Sequence, residues 1–249
     1  MAQVLVLSPD GSANKVDRDS QEALQALRQT TALLLKAALK QEFPGIRLGD
    51  GAATDDGFYV DSDKDDAQVS ADQLEGLAAA IKKFAKDDAK IELATVPLDD
   101  ALAQASDDQF SNALIKAAAQ DGQVAVYKVG DVIAVANNAI LPYANVLKNY
   151  ELLSVAGAYW EGKSSNPMLQ RIYGTVFFKK DELEADLQRR QEAKERDHRV
   201  IGNDLDLFFV DPKVGAGLPY WMPKGATIRR TIERYIIDKE VANGYNHVY

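Results

Sequence analysis

The longest regular pattern in the sequence places the strongest constraint on the fold. From Ser20 to about Phe43, apolar residues recur at three- and four-residue steps, which predicts a helix with an apolar face. Pro44 and Gly45 end the pattern, as these residues commonly do at the end of a helix. The polar triplet 29–31 predicts an interruption near the middle. The chain is therefore expected to contain one long helix close to its start.

Helix and strand patterns alternate along the rest of the chain. Hairpins are predicted at 4–16, around Ser8–Gly11, and at 124–136, around Gly130 and Asp131, because such turn residues join adjacent strands. A loop from Gly49 is expected to lead into a strand that ends near Asp61. Further helices are predicted at 71–86, 98–104 and 108–120, and further strands at 90–96 and 175–178. Because the order has no strict βαβ rhythm, the sequence predicts an α+β fold.

The C-terminal part of the sequence is dominated by two helical patterns. The charged run Lys180–Val200 predicts a long exposed helix that acts as a linker. A Gly- and Pro-rich loop is predicted at 212–223, and a second helix at 225–243 with Gly244 as its C-cap. The chain stops at Tyr249, within what is predicted to be the start of another strand. We therefore expect a truncated chain.

Composition excludes several classes of site. The 249 residues are 46% apolar and 27% charged, which fits a globular protein of one to three domains. No apolar run approaches the length of a membrane span, so we expect a cytoplasmic protein without a membrane partner. The chain has no cysteine and only His198 and His247, which excludes thiolate ligands and nearly excludes a nitrogen-ligated zinc site. We expect His198 to lie on the surface, His247 to belong to the unfinished strand, and neither to bind metal.

Negative charge is concentrated in one part of the chain. The net charge is −9, and residues 46–108 hold sixteen Asp or Glu against six Lys or Arg. Because an acidic surface repels phosphate, this balance argues mildly against a nucleic-acid partner. Any such partner would have to approach the other regions of the chain.

Several segments resemble a known family. The segment Gly157–Gly174 is similar, nearly residue for residue, to threonyl-tRNA synthetases of the bacterial type. The resemblance continues through 196–199, 205–208 and 224–229, the last of which looks like motif 1 of the class II fold. Upstream, 56–59 and 127–131 are similar to the family's editing domain. The resemblance therefore extends from about Thr30 to the last residue.

This resemblance implies a domain organisation. It implies an α+β editing-type domain, with a mixed or antiparallel sheet and packed helices, followed by a helical linker and part of a class II core. The expected boundaries are 1–29 for a shortened remnant of a ubiquitin-like domain, 30–179 for the editing-like domain, 180–203 for the linker and 204–249 for the start of the catalytic domain. The family attaches threonine to its tRNA with ATP and zinc, which we expect in the missing catalytic part. This chain itself is expected to hold no cofactor.

The editing-like region departs from the family at its catalytic positions. In the family, a His-x-x-x-His pair and a Cys-x-x-x-His pair position the water that hydrolyses seryl-tRNA. Alignment on Phe43 and Pro44 puts the first pair at Leu33 and Ala37, whereas alignment on Thr30 and Thr31 puts it at Ala32 and Lys36. The second pair falls at Ala136 and Ile140, and the preceding acidic residue at Ala134. Because residues 1–197 contain no histidine or cysteine, we expect no catalytic residue of the usual editing chemistry.

Two other groups of residues could bind partners. The candidates for contact with the tRNA acceptor arm are Tyr159, Trp160, Lys163, Arg171, Arg189 and Arg190. Pairing with glutamates on the same helix is an equal alternative for the arginines, and a place in the core is the stronger alternative for the aromatic pair. By resemblance, a homodimer would form through the motif 1 residues Arg229, Arg230, Ile232, Tyr235 and Ile236.

Three functions remain open. The region could be an inactive remnant that still docks the tRNA for threonine, or a structural module that supports the rest of the synthetase chain or a protein partner. It could also be an altered deacylase that uses carboxylates. The first predicts salt-sensitive tRNA binding without hydrolysis, the second predicts neither, and the third predicts pH-dependent hydrolysis of a mischarged tRNA.

Overall fold

The computed structural model describes residues 2–63, 68–106, 108–211, 213, 215, 217–246 and 248. The chain divides into two compact units, Met1–Leu183 (unit 1) and Glu184–Tyr249 (unit 2). Helices are combined with antiparallel sheets, so the predicted α+β class is confirmed.

Unit 1 contains nine strands and four complete helices among its described residues, and α5 begins at its end. The elements follow in chain order: β1 (Gln3–Leu7), β2 (Ala13–Asp17), α1 (Gln21–Glu42), β3 (Arg47–Thr54), β4 (Gly57–Asp63), α2 (Leu74–Lys86), β5 (Glu92–Pro97), α3 (Leu98–Ala105), α4 (Gln109–Ala118), β6 (Gln123–Val129), β7 (Val132–Val135), β8 (Asn149–Tyr159), β9 (Met168–Phe177) and α5 (Lys180–Glu195). Short 3-10 turns lie at Ala71–Gln73, Ala144–Val146 and Trp160–Gly162.

The strands of unit 1 form two antiparallel sheets and a hairpin. The larger sheet has the order β3-β4-β9-β8, and the smaller has the order β5-β6-β7. The β1–β2 hairpin joins the same core, because Leu7 and Ile140 exchange backbone hydrogen bonds of 2.8 and 2.9 Å. Val6 is buried in the main hydrophobic cluster of the unit.

Helix α1 is the central element of unit 1. It begins at Ser20, whose hydroxyl accepts a hydrogen bond from the Ala23 N–H at 3.2 Å, and every residue from 26 to 39 is buried. The predicted interruption is wrong, because the Thr30 and Thr31 hydroxyls donate to carbonyl oxygens four residues earlier, at 2.7 and 2.8 Å, and leave the helix intact. The expected boundary between residues 29 and 30 lies in the middle of this helix.

The predicted loop at Gly49 is in fact strand β3. Its small residues permit close packing: a Cβ atom at Gly51 would lie 2.7 Å from Cε of Lys36, and one at Gly49 would lie 2.8 Å from Cβ of Asp61. The register against β4 shifts between Leu48 and Gly51. Gly49 and Asp50 therefore form a β-bulge, an irregularity that re-aims side chains and is common beside functional sites.

Strands β8 and β9 show where the sequence patterns failed. None was predicted over β8, and β9 is longer than the predicted strand at 175–178. These strands pair along nearly their whole length, with one register shift between Leu152 and Ser154. Together they carry the segment 157–174 that resembles threonyl-tRNA synthetases.

Unit 2 follows the predicted helical pattern in outline. The charged run forms two helices, because α5 ends at Glu195 and the Asp197 carboxylate accepts the Arg199 N–H at 2.8 Å to start a new one. The elements that follow are α6 (His198–Asp204), β10 (Phe208–Val210), β11 (Pro219–Trp221) and α7 (Pro223–Ala242). Strands β10 and β11 pair as an antiparallel hairpin. The segment 212–223, which contains β11, was predicted to be only a loop.

The end of α7 agrees with its prediction. Gly244 has a φ of 84°, and the Tyr245 N–H donates to the Glu240 carbonyl at 3.0 Å, as expected for a glycine cap. The strand expected around His247 lies outside the described residues. No helix within the described ranges is long and apolar enough to span a membrane.

Candidate functional site

A cavity of about 210 Å³ lies beside the central helix of unit 1. Its walls come from α1, the bulge of β3, the C-terminal end of α4, the strands β6 and β7, and the segment after β7. The lining residues are Gln29, Leu33, Lys36, Asp50, Gly51, Leu114, Ala117, Ala118, Tyr127, Ala134, Val135, Asn137 and Ile140.

The cavity collects most of the positions that the sequence singled out as degenerate editing residues. Leu33, Ala134 and Ile140 line it, and Ala136 is buried next to Val135. Ala37 is buried but is not among the lining residues. The pair on α1 that faces the cavity with a four-residue step is Gln29 and Leu33, which neither alignment proposed.

Two polar side chains of the cavity wall, Gln29 and Tyr127, are already engaged. Gln29 donates to the Gly51 carbonyl at 3.3 Å and accepts the Ala53 N–H at 2.9 Å. The Tyr127 hydroxyl donates to the Asn138 carbonyl at 2.9 Å, and burial, followed by the charge of Asp10, raises the pKa of Tyr127 to about 12. These contacts hold the wall rigid, and Tyr127 stays protonated at neutral pH.

Asp50 is held in place by the bulge that contains it. Its carboxylate accepts the Gly51 N–H and the Tyr59 hydroxyl, each at 2.8 Å. Arg171 lies over the Tyr59 ring at 3.9 Å and binds Asp61 through two hydrogen bonds of 2.6 and 2.8 Å. Burial and the neighbouring Asp50 raise the pKa of Tyr59, so the hydroxyl remains a donor to the carboxylate.

Lys36 differs from the other polar residues of the cavity. The residue is only 7% exposed, and it makes no hydrogen bond or ion pair with any part of the chain that the structure describes. Burial lowers the pKa of Lys36, while the charges of Asp50, Asp108 and Asp61 act in the opposite direction. An unpaired buried ammonium destabilises the folded state, because its hydration is lost without replacement.

We expect Lys36→Met to raise the free energy of unfolding by about 1–3 kcal/mol at neutral pH, since it removes a buried polar group that lacks a partner. In the wild type, the unfolded chain binds a proton that the folded chain has released, over the range between the lowered pKa and the ordinary value of 10.5. Stability should therefore rise with pH across this range, and the variant should lose that rise. Urea denaturation at a series of pH values measures both effects.

The matched control for this prediction is Lys83→Met, which changes an exposed lysine on α2. It should leave the free energy of unfolding within about 0.5 kcal/mol of the wild type, as is usual for surface positions. A Lys36→Met chain that is less stable than the wild type at every pH would show that the ammonium is favourably solvated in the cavity.

The expected tRNA contacts of unit 1 differ in their exposure. Tyr159 is 41% exposed, whereas Trp160 is buried and packs on Phe110 with ring centroids 5.1 Å apart. Lys163 is exposed and pairs with Glu161 at 3.0 Å. Within unit 1, the described candidates that present a free face to solvent are thus Tyr159 and Lys163.

The arginine candidates are engaged in ion pairs. Arg171 is bound to the buried Asp61, and this hydrogen bond is the main cause of its raised pKa. In unit 2, Arg189 and Arg190 both pair with the buried Asp186 on their own helix. Arg189 and Arg190 therefore pair within their own helix, but with Asp186, where glutamates were predicted as the partners.

The motif 1 candidates lie on α7 of unit 2. Ile232, Tyr235 and Ile236 are exposed large apolar residues of this helix. Arg229 pairs with Glu233 at 2.7 Å and lies 5.5 Å from the Trp221 ring, and Arg230 is exposed.

His198 is exposed beside Asp197, with 3.8 Å between its Nδ1 atom and the carboxylate. In the described part of the chain, no group of three or more His, Cys, Asp or Glu could hold a metal ion.

Comparison with known proteins gives the class of the chain. No family model matches it. It is 63% identical over 243 residues to a threonine–tRNA ligase of Levilactobacillus brevis, and 56% identical over 248 residues to that of Lactiplantibacillus plantarum. It is also 53% identical over 243 residues to that of Lacticaseibacillus paracasei. Each comparison covers 98% of this chain.

These similarities place the chain among the aminoacyl-tRNA ligases. More narrowly, the chain belongs to the threonine–tRNA ligase family, as the resemblance of its segments predicted. It spans 37–38% of the length of these curated relatives.

Proposed function

We propose that unit 1 is an editing-type domain of a threonine–tRNA ligase that no longer hydrolyses seryl-tRNA and serves to dock the tRNA acceptor arm. The observation that carries this proposal is the composition of the cavity wall. Leu33, Ala134 and Ile140 occupy it, and residues 1–197 contain no histidine or cysteine. Hydrolysis of an ester requires a positioned base or nucleophile, and these apolar side chains supply neither; the ionisable side chains that line the cavity are Lys36, Asp50 and Tyr127.

The domain boundaries of this proposal follow the resemblance. Residues 30–179 would belong to the editing-like domain, 180–203 to the linker and 204–249 to the start of a class II core, with 1–29 as a shortened leading segment that shares helix α1 with the editing-like domain. In the whole ligase, ATP and zinc would be bound by the part of the protein that this chain does not span. The described residues offer no cluster of side chains suited to zinc.

Docking of tRNA rests on the exposed residues near the β8–β9 connection. Tyr159 offers a ring for stacking on a base, and Lys163 offers a cation for a phosphate. Both are exposed in unit 1. Arg171, Arg189 and Arg190 would contribute mainly as parts of ion pairs, so the predicted surface is smaller than the list of basic residues suggests.

A structural module is the second candidate. It is favoured by the engagement of the arginines in ion pairs and by the ten excess negative charges of residues 46–108. An altered deacylase is the third, and Asp50 is the carboxylate of the cavity on which it would depend.

The motif 1 residues on α7 would form a homodimer interface, which concentration-dependent sedimentation of the chain would reveal.

Deacylation of seryl-tRNA for threonine by the purified chain, with tRNA binding measured at about 50 and 200 mM salt, separates these functions. We expect no hydrolysis above the protein-free rate and binding that weakens steeply with salt. Hydrolysis that is lost in Asp50→Asn would establish the altered deacylase. An absence of both hydrolysis and binding would leave the structural role.

A further inference from the structure

The cavity holds a basic amino group, that of Lys36, whose position is set by packing. The Lys36 stem passes over Gly51, at a distance where a Cβ atom on residue 51 would lie 2.7 Å from Cε of the lysine. Glycine at this position thus makes room for the side chain. The residue is 93% buried and lines the cavity without a partner among the described residues, so the cavity is a space in which its amino group could meet a counter-ion.

The same cavity holds a negative group that retains bonding capacity. The Asp50 carboxylate accepts two hydrogen bonds, from Gly51 and Tyr59, whereas a carboxylate offers about four acceptor positions. Asp50 and Lys36 both line the cavity, and they do not form an ion pair with each other. A positive and a negative group therefore face one space and leave room between them.

The size and walls of the cavity limit what can fill that space. Its volume of about 210 Å³ is below the roughly 300–1,000 Å³ of sites for drug-sized ligands. The remaining wall is largely apolar, with Leu33, Leu114 and Ile140 as its larger members. A fitting ligand is small, carries both charges and has a short uncharged side chain.

We infer that this cavity binds a small free amino acid as a zwitterion, with its carboxylate paired to Lys36 and its ammonium paired to Asp50. The unesterified carboxylate is the distinctive requirement, because an ester or amide offers no negative charge to the lysine. This inference goes beyond the docking of tRNA, and it holds whether or not the chain contacts tRNA.

A simple anion is a poorer match to the same geometry. Acetate or inorganic phosphate could pair with Lys36, but it would bring a second negative charge close to Asp50. Like charges at short range in a partly dry site repel strongly. We therefore expect the ammonium group of the ligand to contribute as much as its carboxylate.

The test is calorimetric titration of the full chain with L-alanine, L-serine and L-threonine, alongside alaninamide, serinamide and acetate. We expect saturable binding of at least one free amino acid, with Kd at or below about 10 mM, a range typical of small weak ligands. The matching amide and acetate should bind at least tenfold more weakly. Equal binding of acid and amide, or of acid and acetate, would overturn the inference, as would no saturable binding of any free amino acid.

Variants assign the two contacts. Lys36→Met and Asp50→Asn should each weaken binding at least tenfold, while Lys83→Met should bind as the wild type does. Unchanged affinity in both cavity variants would place the ligand elsewhere and contradict the inference. None of these titrations contains tRNA, so their failure is distinguishable from a failure of tRNA docking.

A readout in the unmodified chain tests the lysine independently. Lys36, on α1, is faced by Asp50 of β3, Asp61 of β4 and Asp108 before α4, and Tyr127 of β6 lines the same cavity. A bound carboxylate adds a negative partner and thereby raises the lowered pKa of Lys36, so binding should take up protons at pH values between that lowered pKa and the ordinary value of 10.5. Titration in two buffers of different ionisation enthalpy measures this uptake, and proton release on binding would contradict the pairing with Lys36.

Discussion

Arg171→Met is expected to lower the free energy of unfolding by about 3–5 kcal/mol, the range for removing one partner of a buried ion pair. Asp61 is 2% exposed, and Arg171 supplies two of its hydrogen bonds, at 2.6 and 2.8 Å. Without the guanidinium, the carboxylate would remain buried between β4 and its neighbours without its ion-pair partner, since Lys36 lies near it but makes no hydrogen bond to it. The contact of Arg171 with the Tyr59 ring would be lost as well.

Chemical denaturation of Arg171→Met beside Lys163→Met measures this effect. Both residues are candidates for tRNA contact, but Lys163 belongs to an exposed pair with Glu161, and its removal should change stability by no more than about 1 kcal/mol. If Arg171→Met lost less than about 1 kcal/mol, Asp61 would have found another partner or water. A loss of tRNA affinity in Arg171→Met at unchanged stability would return this arginine to the set of direct tRNA contacts.

The second large effect is expected for Gly57→Ala. A Cβ atom at this position would lie 2.2 Å from the carbonyl oxygen of Gly174 on strand β9. The obstacle is backbone, so no side-chain rotation relieves it, and β4 would have to separate from β9. We expect a loss of about 3 kcal/mol or more, at or beyond the upper end of the usual effect of overpacking.

Gly76→Ala is the control for that substitution. Gly76 lies within α2, and a Cβ atom added there would meet no neighbouring group within 4 Å. Alanine there should stabilise the chain by about 0.5–1 kcal/mol, because glycine is the poorer helix former. Thermal unfolding of the two variants should therefore shift in opposite directions, and equal shifts would show that the close approach of β4 to β9 relaxes readily.

The patterns that predicted helices correctly are those that reflect local periodicity. Helix α1 was found from its apolar spacing and its Pro44 stop, yet its predicted break was wrong because the Thr30 hydroxyl satisfies a helical carbonyl. Strand β3 was missed because Gly49 and Gly51 resemble loop residues. Their lack of a side chain makes room for Asp61 and Lys36, which only the folded chain brings near.

The candidate site was also predicted only in part, because some of its residues follow a spacing in the sequence and others meet only in the folded chain. The positions Ala134 and Ile140 were located from their spacing after Gly130, and the structure places both on the cavity wall. Asp50 was not singled out, because a β-bulge has no pattern in a single sequence. Lys36 appeared only as a vacant histidine position, although its burial without a partner is the feature that gives the cavity its charge.

The position of α1 in the core limits any attempt to restore hydrolysis by engineering. The residues that line the cavity also belong to the hydrophobic core, since Leu33 of α1 is 4% exposed and Ile140, after β7, is fully buried. Introducing ionisable groups there would replace packing contacts with groups that need hydration or partners. Such substitutions would have to be made in a stabilised variant of the chain, and activity and folding yield would have to be selected together.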